Sequence, residues 1–196
     1  MNNLLFKTDI PGYMMNPEPS ILFLLAKKYD YPGAIGIEIG SLHGRSSVAL
    51  ASGMPLGKLY CIDKWEGNSY RSPFFTDEQQ KILQFPTKDE LNTLEVFKEN
   101  TKDFTNIETI QGISPTCVID WTQDVDFVFL DASHRNPNDK DNIEFWLPRI
   151  KKGGMFIGHD YSKQFPDVIK NVKELEQKLG KAAIYFVKTS LWAFVI

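Results

Sequence analysis

The 196-residue chain has only two cysteines, Cys61 and Cys117, and neither belongs to a CxxC or Cys/His pair. That removes a disulfide framework and a thiolate zinc site; both cysteines sit in segments that read as buried. No apolar run approaches the roughly 20 residues of a membrane span, and the opening "MNNLLFKTDIPGY" lacks the basic start and long apolar block of a signal peptide. The expectation is a cytoplasmic protein with no membrane partner. Charge is slightly acidic, formally −3, with no lysine or arginine cluster, so the electrostatic footprint of a nucleic-acid binder is missing and no nucleic-acid partner is expected. Glycine is ordinary in number, but GxGxxG occurs nowhere. Histidine is scarce, three in all, and two of the three end apolar runs.

What is present is alternation. Short apolar runs rich in β-branched or aromatic residues fall at 34–40, 58–63, 107–112, 125–131, 154–160, 182–188 and 191–196, with longer stretches of helical period between them. This pattern predicts an α/β fold, a Rossmann-like sheet of seven strands with helices on both faces. Ile143, Trp146, Leu147 and Ile150 recur at helical spacing, as do Val168, Val172, Leu175 and Leu179 before Gly180. "TKDE" at 87–90 reads as a capping box opening a helix through Leu91, Leu94 and Phe97. A further helix is expected from about Pro17 to Tyr29. Only "KTS" separates the last two runs, too short for a crossover, so they should pair as an antiparallel hairpin closing a mostly parallel sheet. The length suits one domain, 1–196, with residues 1–30 as an N-terminal cap and 64–86 as a lid-like insertion rich in aromatics.

In such a sheet, ligands bind beyond the carboxyl ends of the strands. Polar residues collect there: Glu38 and Gly40 after the first run, Asp63 after the second, Asp131 after the fourth, His159 and Asp160 after the fifth. In "EIGSLHGRSS" (38–47), glycines 40 and 44 form a turn leading into a helix near Gly44. Glu38, two residues before the first glycine, would repel a pyrophosphate and welcome an ammonium or sulfonium. Asp63 lies near the interval at which an acid reaches ribose hydroxyls in nucleotide-binding βαβ units.

"IGIEIGSLHGRSSVALA", "LYCIDKWEG", "IQGISP" and "VDFVFLDASHRN…DNIEFWLPRIKKGGMFIGHDY" resemble, in order and spacing, the motifs of class I S-adenosylmethionine-dependent methyltransferases. The nearest likeness is to a small subgroup with Asp-x-x-His after strand four and His-Asp after strand five, similar to macrocin-type sugar and catechol-type O-methyltransferases. The resemblance spans roughly residues 10–165. It implies S-adenosyl-L-methionine as cofactor, with Glu38, Gly40, Ser41 and Gly44 along its methionine part and Ser46 near its carboxylate. It further implies Asp63 at the ribose, Gly112 to Ser114 at the adenine, and Asp131 at the ammonium group and transfer site.

Transfer to an oxygen requires a base opposite the departing sulfur, and histidine, with an ordinary pKa near about 6.5, is largely neutral and basic at cellular pH. His134 can project into the crevice and is the expected general base; Asp131 and His159 complete the expected catalytic set. Catechol-type enzymes bind magnesium through an acid at the position of Asp131 and an acid–amide pair where His159 and Asp160 stand here. Imidazole favours a softer ion than magnesium. Either a divalent ion, magnesium, manganese or other, binds through Asp131, His159 and Asp160, or no metal binds and His159 touches the acceptor.

The expected activity is O-methylation of a small molecule, a sugar or glycosylated metabolite among the candidates. Trp65, Tyr70, Phe74 and Phe75 are offered as stacking groups, and Tyr13, Met14 and Met15 as the facing wall. Alternatives are a metal-dependent hydroxylase or hydrolase on the same scaffold, and a protein that binds the cofactor without turnover. A homo-oligomer stays open, since no apolar face selects a partner copy.

Overall fold

The structure, a computed structural model, describes residues 9–65 and 93–196. The expected capping box at 87–90, Leu91, and Tyr70, Phe74 and Phe75 lie outside the described residues. The strands are β1 (Ile35–Ile39), β2 (Lys58–Asp63), β3 (Ile107–Gln111), β4 (Val125–Leu130), β5 (Ile150–Gly158), β6 (Ile184–Tyr185) and β7 (Trp192–Val195). They form one sheet in the order β3-β2-β1-β4-β5-β7-β6. The first five are mutually parallel. β7 runs antiparallel to both β5 and β6, so the terminal hairpin inserts its second strand between its first and the body of the sheet.

The α-helices are α1 (Glu18–Ala26), α2 (Arg45–Gly53), α3 (Thr93–Thr101), α4 (Asn138–Trp146) and α5 (Pro166–Leu179). Strand residues alternate in facing, and the two cores follow that parity. Phe127 and Phe129 pack with Leu22, Leu50 and Phe97, the side covered by α1, α2 and α3. Val128 and Leu130 pack with Trp146, Val168 and Val172, the side covered by α4 and α5. β4, central in the sheet and buried at every position, has the largely apolar sequence that two covered faces require; its one charged residue, Asp126, accepts the Ile35 amide at 2.7 Å and pairs with Lys151.

Three details differ from expectation. Ile150 opens β5 instead of closing the preceding helix. Pro148 lacks the N–H that a continuing helix needs, so the chain tightens into a 3-10 turn at Leu147–Arg149 and turns into the sheet. The strand expected over 182–188 shrinks to two residues, beyond which Val187 is exposed. Cys61 is buried, but Cys117 is exposed, because its 3-10 turn directs Val118 inward instead.

Candidate active site

β2 and β3 lie to one side of β1 while β4 lies on its other side. The loops leaving β1 and β4 therefore diverge, opening a crevice at their carboxyl ends. A cavity of about 740 Å³ occupies it, within the range typical of small-molecule sites. From one edge it is lined by Gly112 to Ser114, Asp63, the turn Gly40 to His43 with Ser46, then Asp131 and His134, and finally His159 and Asp160. Tyr13 and Met14 add a wall from the N-terminal segment, whereas Met15 is exposed. Phe165 and Gln164 close the far side.

Gly40 ends β1 with φ +93°, a left-handed conformation that a side chain disfavours. Its amide donates to Ile62 O at 2.9 Å and the Asp131 amide donates to Ile39 O at 2.9 Å, which pins the turn between the neighbouring strands. Asp63 is held in turn: its two carboxylate oxygens accept the Leu42 and Trp65 amides, each at 2.9 Å. Trp65 is buried and donates its indole N–H to Leu42 O at 2.8 Å. It thus packs under the glycine turn and does not stack over the cavity. Ser114 is buried and accepts from Trp146 Nε1 at 3.1 Å, so its hydroxyl serves the core while its backbone edges the cavity. His43 is buried in the turn, and burial lowers its pKa from the ordinary value.

Two expected cofactor contacts are displaced. Gly44 does not line the cavity; a Cβ there would lie 2.9 Å from Thr101 Cγ2 and against Phe97 on α3, so this glycine permits helix packing. Glu38 does not line it either. Its carboxylate is wholly buried beneath the turn and accepts a hydrogen bond from the Ser47 hydroxyl. Burial raises its pKa above the ordinary carboxylate value, offset in part by the nearby Ser46, Ser47, Ser41 and Cys61 side chains. A carboxyl with a raised folded-state pKa stabilises the fold at low pH and loses that contribution as pH rises through the folded value. Glu38→Gln, which carries no ionisable group, should therefore gain stability relative to the native chain as pH climbs above 4.5, the unperturbed value. Urea unfolding of both at about pH 5 and about pH 8 checks this; a gap independent of pH refutes it.

At the ends of β4 and β5 the side chains converge. His134, at φ +56°, and Asp160, at φ +59°, both adopt left-handed backbone, uncommon for residues with a side chain. His134 Nε2 lies 3.3 Å from Asp160 Oδ2 and 3.9 Å from Asp131 Oδ1, and its ring leans on Phe165 with centroids 4.8 Å apart. His159 is buried between carboxylates: Nδ1 is 3.2 Å from Asp131 Oδ1 and 3.5 Å from Asp160 Oδ1, and Nε2 is 3.1 Å from Glu18 Oε1. Burial opposes the charged imidazole, but the three carboxylates overcome it and raise the His159 pKa well above its ordinary value. Asp131 is lowered against its own burial by His159 and His134.

Of the residues expected to hold an ion, Asp131, His159 and Asp160, His159 has both ring nitrogens facing carboxylates. Among the described residues the ligand-type atoms that do gather within 4.8 Å are those of Asp131, His134 and Asp160. An ion held there would occupy His134.

Glu18 carries no signal in the local sequence. It lies in α1, 141 positions before His159, and only the packing of α1 beside the end of β5 brings the two together.

Comparison with known proteins agrees with this geometry. The sequence profile of a family described as a methyltransferase domain matches residues 37–161, well over half the chain. No curated protein matches. Among solved structures, an O-methyltransferase from Bacillus cereus in complex with SAH aligns with a TM-score of 0.63 at 17% identity, covering 96% of this chain and 85% of that one. The O-methyltransferase TomG from Streptomyces achromogenes, involved in tomaymycin synthesis and solved with SAM, gives 0.62 at 17%, covering 93% and 81%. Precorrin-6y C5,15-methyltransferase from Geobacter metallireducens gives 0.60 at 14%, covering 99% and 97%. At these identities the likeness is one of fold.

Proposed function

The chain belongs to this methyltransferase-domain family, and from that premise we propose that it transfers the methyl group of S-adenosylmethionine to a hydroxyl of a small molecule, with His134 as general base. One observation supports this above the others: the glycine turn and Asp63 share a single cavity with His134, Asp131 and Asp160.

S-adenosylmethionine, when bound, supplies an electrophilic methyl group on a sulfonium. The residues present suit it. Each Asp63 oxygen has accepted one backbone N–H and keeps a lone pair for a ribose hydroxyl. Gly40, Ser41 and Ser46 face the cavity where the methionine part would lie, and Gly112 to Ser114 face the adenine end. Asp131 presents a carboxylate toward the amine and the transfer position. His134 accepts the hydroxyl proton, and Asp160, 3.3 Å from its Nε2, stabilises the imidazolium that results. Oxygen as the receiving atom accords with an imidazole placed beside two carboxylates; a sugar, glycoside or catechol-like acceptor would use Asp160 and Gln164 as further partners. The chain acts as one domain in this reading.

Calorimetry with S-adenosylmethionine and S-adenosylhomocysteine tests the cofactor. Asp63→Ala should weaken both by about tenfold to hundredfold, since it removes the ribose acceptor and frees two turn amides. Equal affinity in the variant and the native protein contradicts the assignment. Release of S-adenosylhomocysteine over a panel of sugars, glycosides and catechols then identifies the acceptor and separates an enzyme from a protein that only binds.

A further inference from the structure

We propose that Asn171 is a positioning residue for the methyl transfer read above, on which this inference rests: it fastens the β4–α4 loop to α5 and so holds His134 in the backbone conformation that turns its ring into the cavity. Asn171 lies on α5, beyond the span matched by the family profile, and does not line the 740 Å³ cavity. It is 4% exposed and forms a reciprocal pair with Asn136. Asn136 Nδ2 donates to Asn171 Oδ1 at 3.1 Å, and Asn171 Nδ2 donates back to Asn136 Oδ1 at 3.0 Å. One helical turn earlier, Asp167 Oδ2 accepts the Asn136 backbone amide at 3.0 Å. Positions i and i+4 share a helix face, so both groups meet the same loop residue.

Helix α5 does not need this pair for its own seat. Val168, Val172 and Leu175 bury its apolar face in the core, and a buried amide pair gains little over an apolar one once its desolvation is counted. The loop does need it. Among the described residues, none of the amides from Ala132 to Asn136 donates to a backbone carbonyl. His134 sits there at φ +56°, a conformation that persists in a residue with a side chain only where the surroundings hold it. The Asp131 amide is fixed on Ile39 O at one end and Asn136 is fixed on α5 at the other, so Ala132 to Arg135 are spanned from both sides. Phe165, at the N-cap of the same helix, braces the His134 ring with centroids 4.8 Å apart. Helix α5 thus sets both the backbone and the ring of the proposed base. Without the Asn171 amide, Asn136 keeps only its backbone contact with Asp167, the His134 backbone relaxes toward ordinary dihedrals, and Nε2 leaves its place beside Asp160. The effect is one of placement and moves no proton; a shift of about 1 Å at a reacting group can cost about hundredfold in rate.

The test is a double-mutant cycle in the full chain: Asn171→Ala, Asn136→Ala and both together. Turnover is followed with the panel member that gives the fastest S-adenosylhomocysteine release, and affinity by calorimetry with S-adenosylhomocysteine. Each single variant should lower kcat about tenfold to hundredfold, with the acceptor KM and S-adenosylhomocysteine affinity changed by less than about threefold. The double variant should be no slower than the slower single one, because both remove the same contact. Backbone NMR supplies a readout that lost stability alone does not move. The His134 Cα and Cβ shifts, which report φ, should leave the left-handed range in Asn171→Ala, while those of Asp160, also left-handed, stay in place. Asn171→Leu keeps the branching of the side chain without its hydrogen bonds; it should be as slow, and it covers the case in which the alanine variant does not fold. Native kcat in Asn171→Ala or Asn171→Leu, losses that multiply in the double variant, or unchanged His134 shifts overturn the proposal. Absence of any S-adenosylmethionine binding by the native chain instead removes the methyl-transfer reading, and the shifts still decide whether Asn171 sets the His134 backbone.

Discussion

His134→Ala is expected to lower turnover by about 10² to 10⁴ while S-adenosylmethionine affinity stays within about threefold of native. The split follows from where the residue sits. His134 leaves β4 three positions after Asp131, with its ring braced by Phe165 and its Nε2 3.3 Å from Asp160. The groups assigned to the cofactor, Gly40 to Ser41, Asp63 and Gly112 to Ser114, occupy the other edge of the cavity. Truncation therefore removes the proton acceptor and leaves the cofactor's contacts in place. Replacing the imidazole by Gln keeps a polar side chain of similar reach but no base, so His134→Gln should be as slow as the alanine variant. If instead His134 served as a metal ligand beside Asp131 and Asp160, its loss would abolish metal-dependent turnover and titratable manganese binding together. Single-turnover kinetics with calorimetry on the same samples separates these outcomes, and native turnover in His134→Ala would remove the base assignment.

Much of this site was legible before the fold was known, because it is built at strand ends. An apolar run that stops on an acid marks where a buried strand reaches solvent; Asp63, Asp131 and Asp160 were found that way, and all three line the cavity. Glu38 does not line the cavity, for a reason that strand periodicity contains. Residues 37 and 39 face α4 and α5, so strand parity sends residue 38 to the opposite side, against Ser47 of α2 and away from the opening. The motif's polarity outweighed its period. The surroundings of His159 were hidden for another reason: its Nε2 faces Glu18, which in turn accepts the hydroxyl and amide of Ser190, 172 positions from Glu18. No local pattern encodes so distant a pairing. The β6 run shortened to two residues since two rungs suffice to cover the short β7, whereas the central strands, buried on both faces, appeared with nearly their full extent.

Gly40→Ala should be the most damaging single methyl in the described part of the chain. Two separate costs meet there. The backbone sits at φ +93°, where an L side chain adds about 1–2 kcal/mol. An added Cβ would also lie 2.0 Å from the Asp131 carbonyl oxygen and 2.9 Å from Ala132 Cα. These are backbone atoms of the adjacent strand end, and they cannot swing aside as a flexible side chain would. Relief requires β1 and β4 to part at the point where the Asp131 amide donates to Ile39, which forfeits ladder bonding and adds about 1–3 kcal/mol more. The sum, roughly 2–5 kcal/mol, corresponds to a Tm lower by about 5–20 °C for a chain of this size. Gly33→Ala supplies the comparison: φ is +84° but nothing lies within 4 Å of the added methyl, so only the backbone cost of about 1–2 kcal/mol remains. Thermal unfolding of the two variants side by side isolates the contact between the strand ends. Equal losses would mean that Asp131 and Gly40 do not touch as described, and with that contact would go the alignment of Asp131 beside the glycine turn on which the proposed transfer geometry depends.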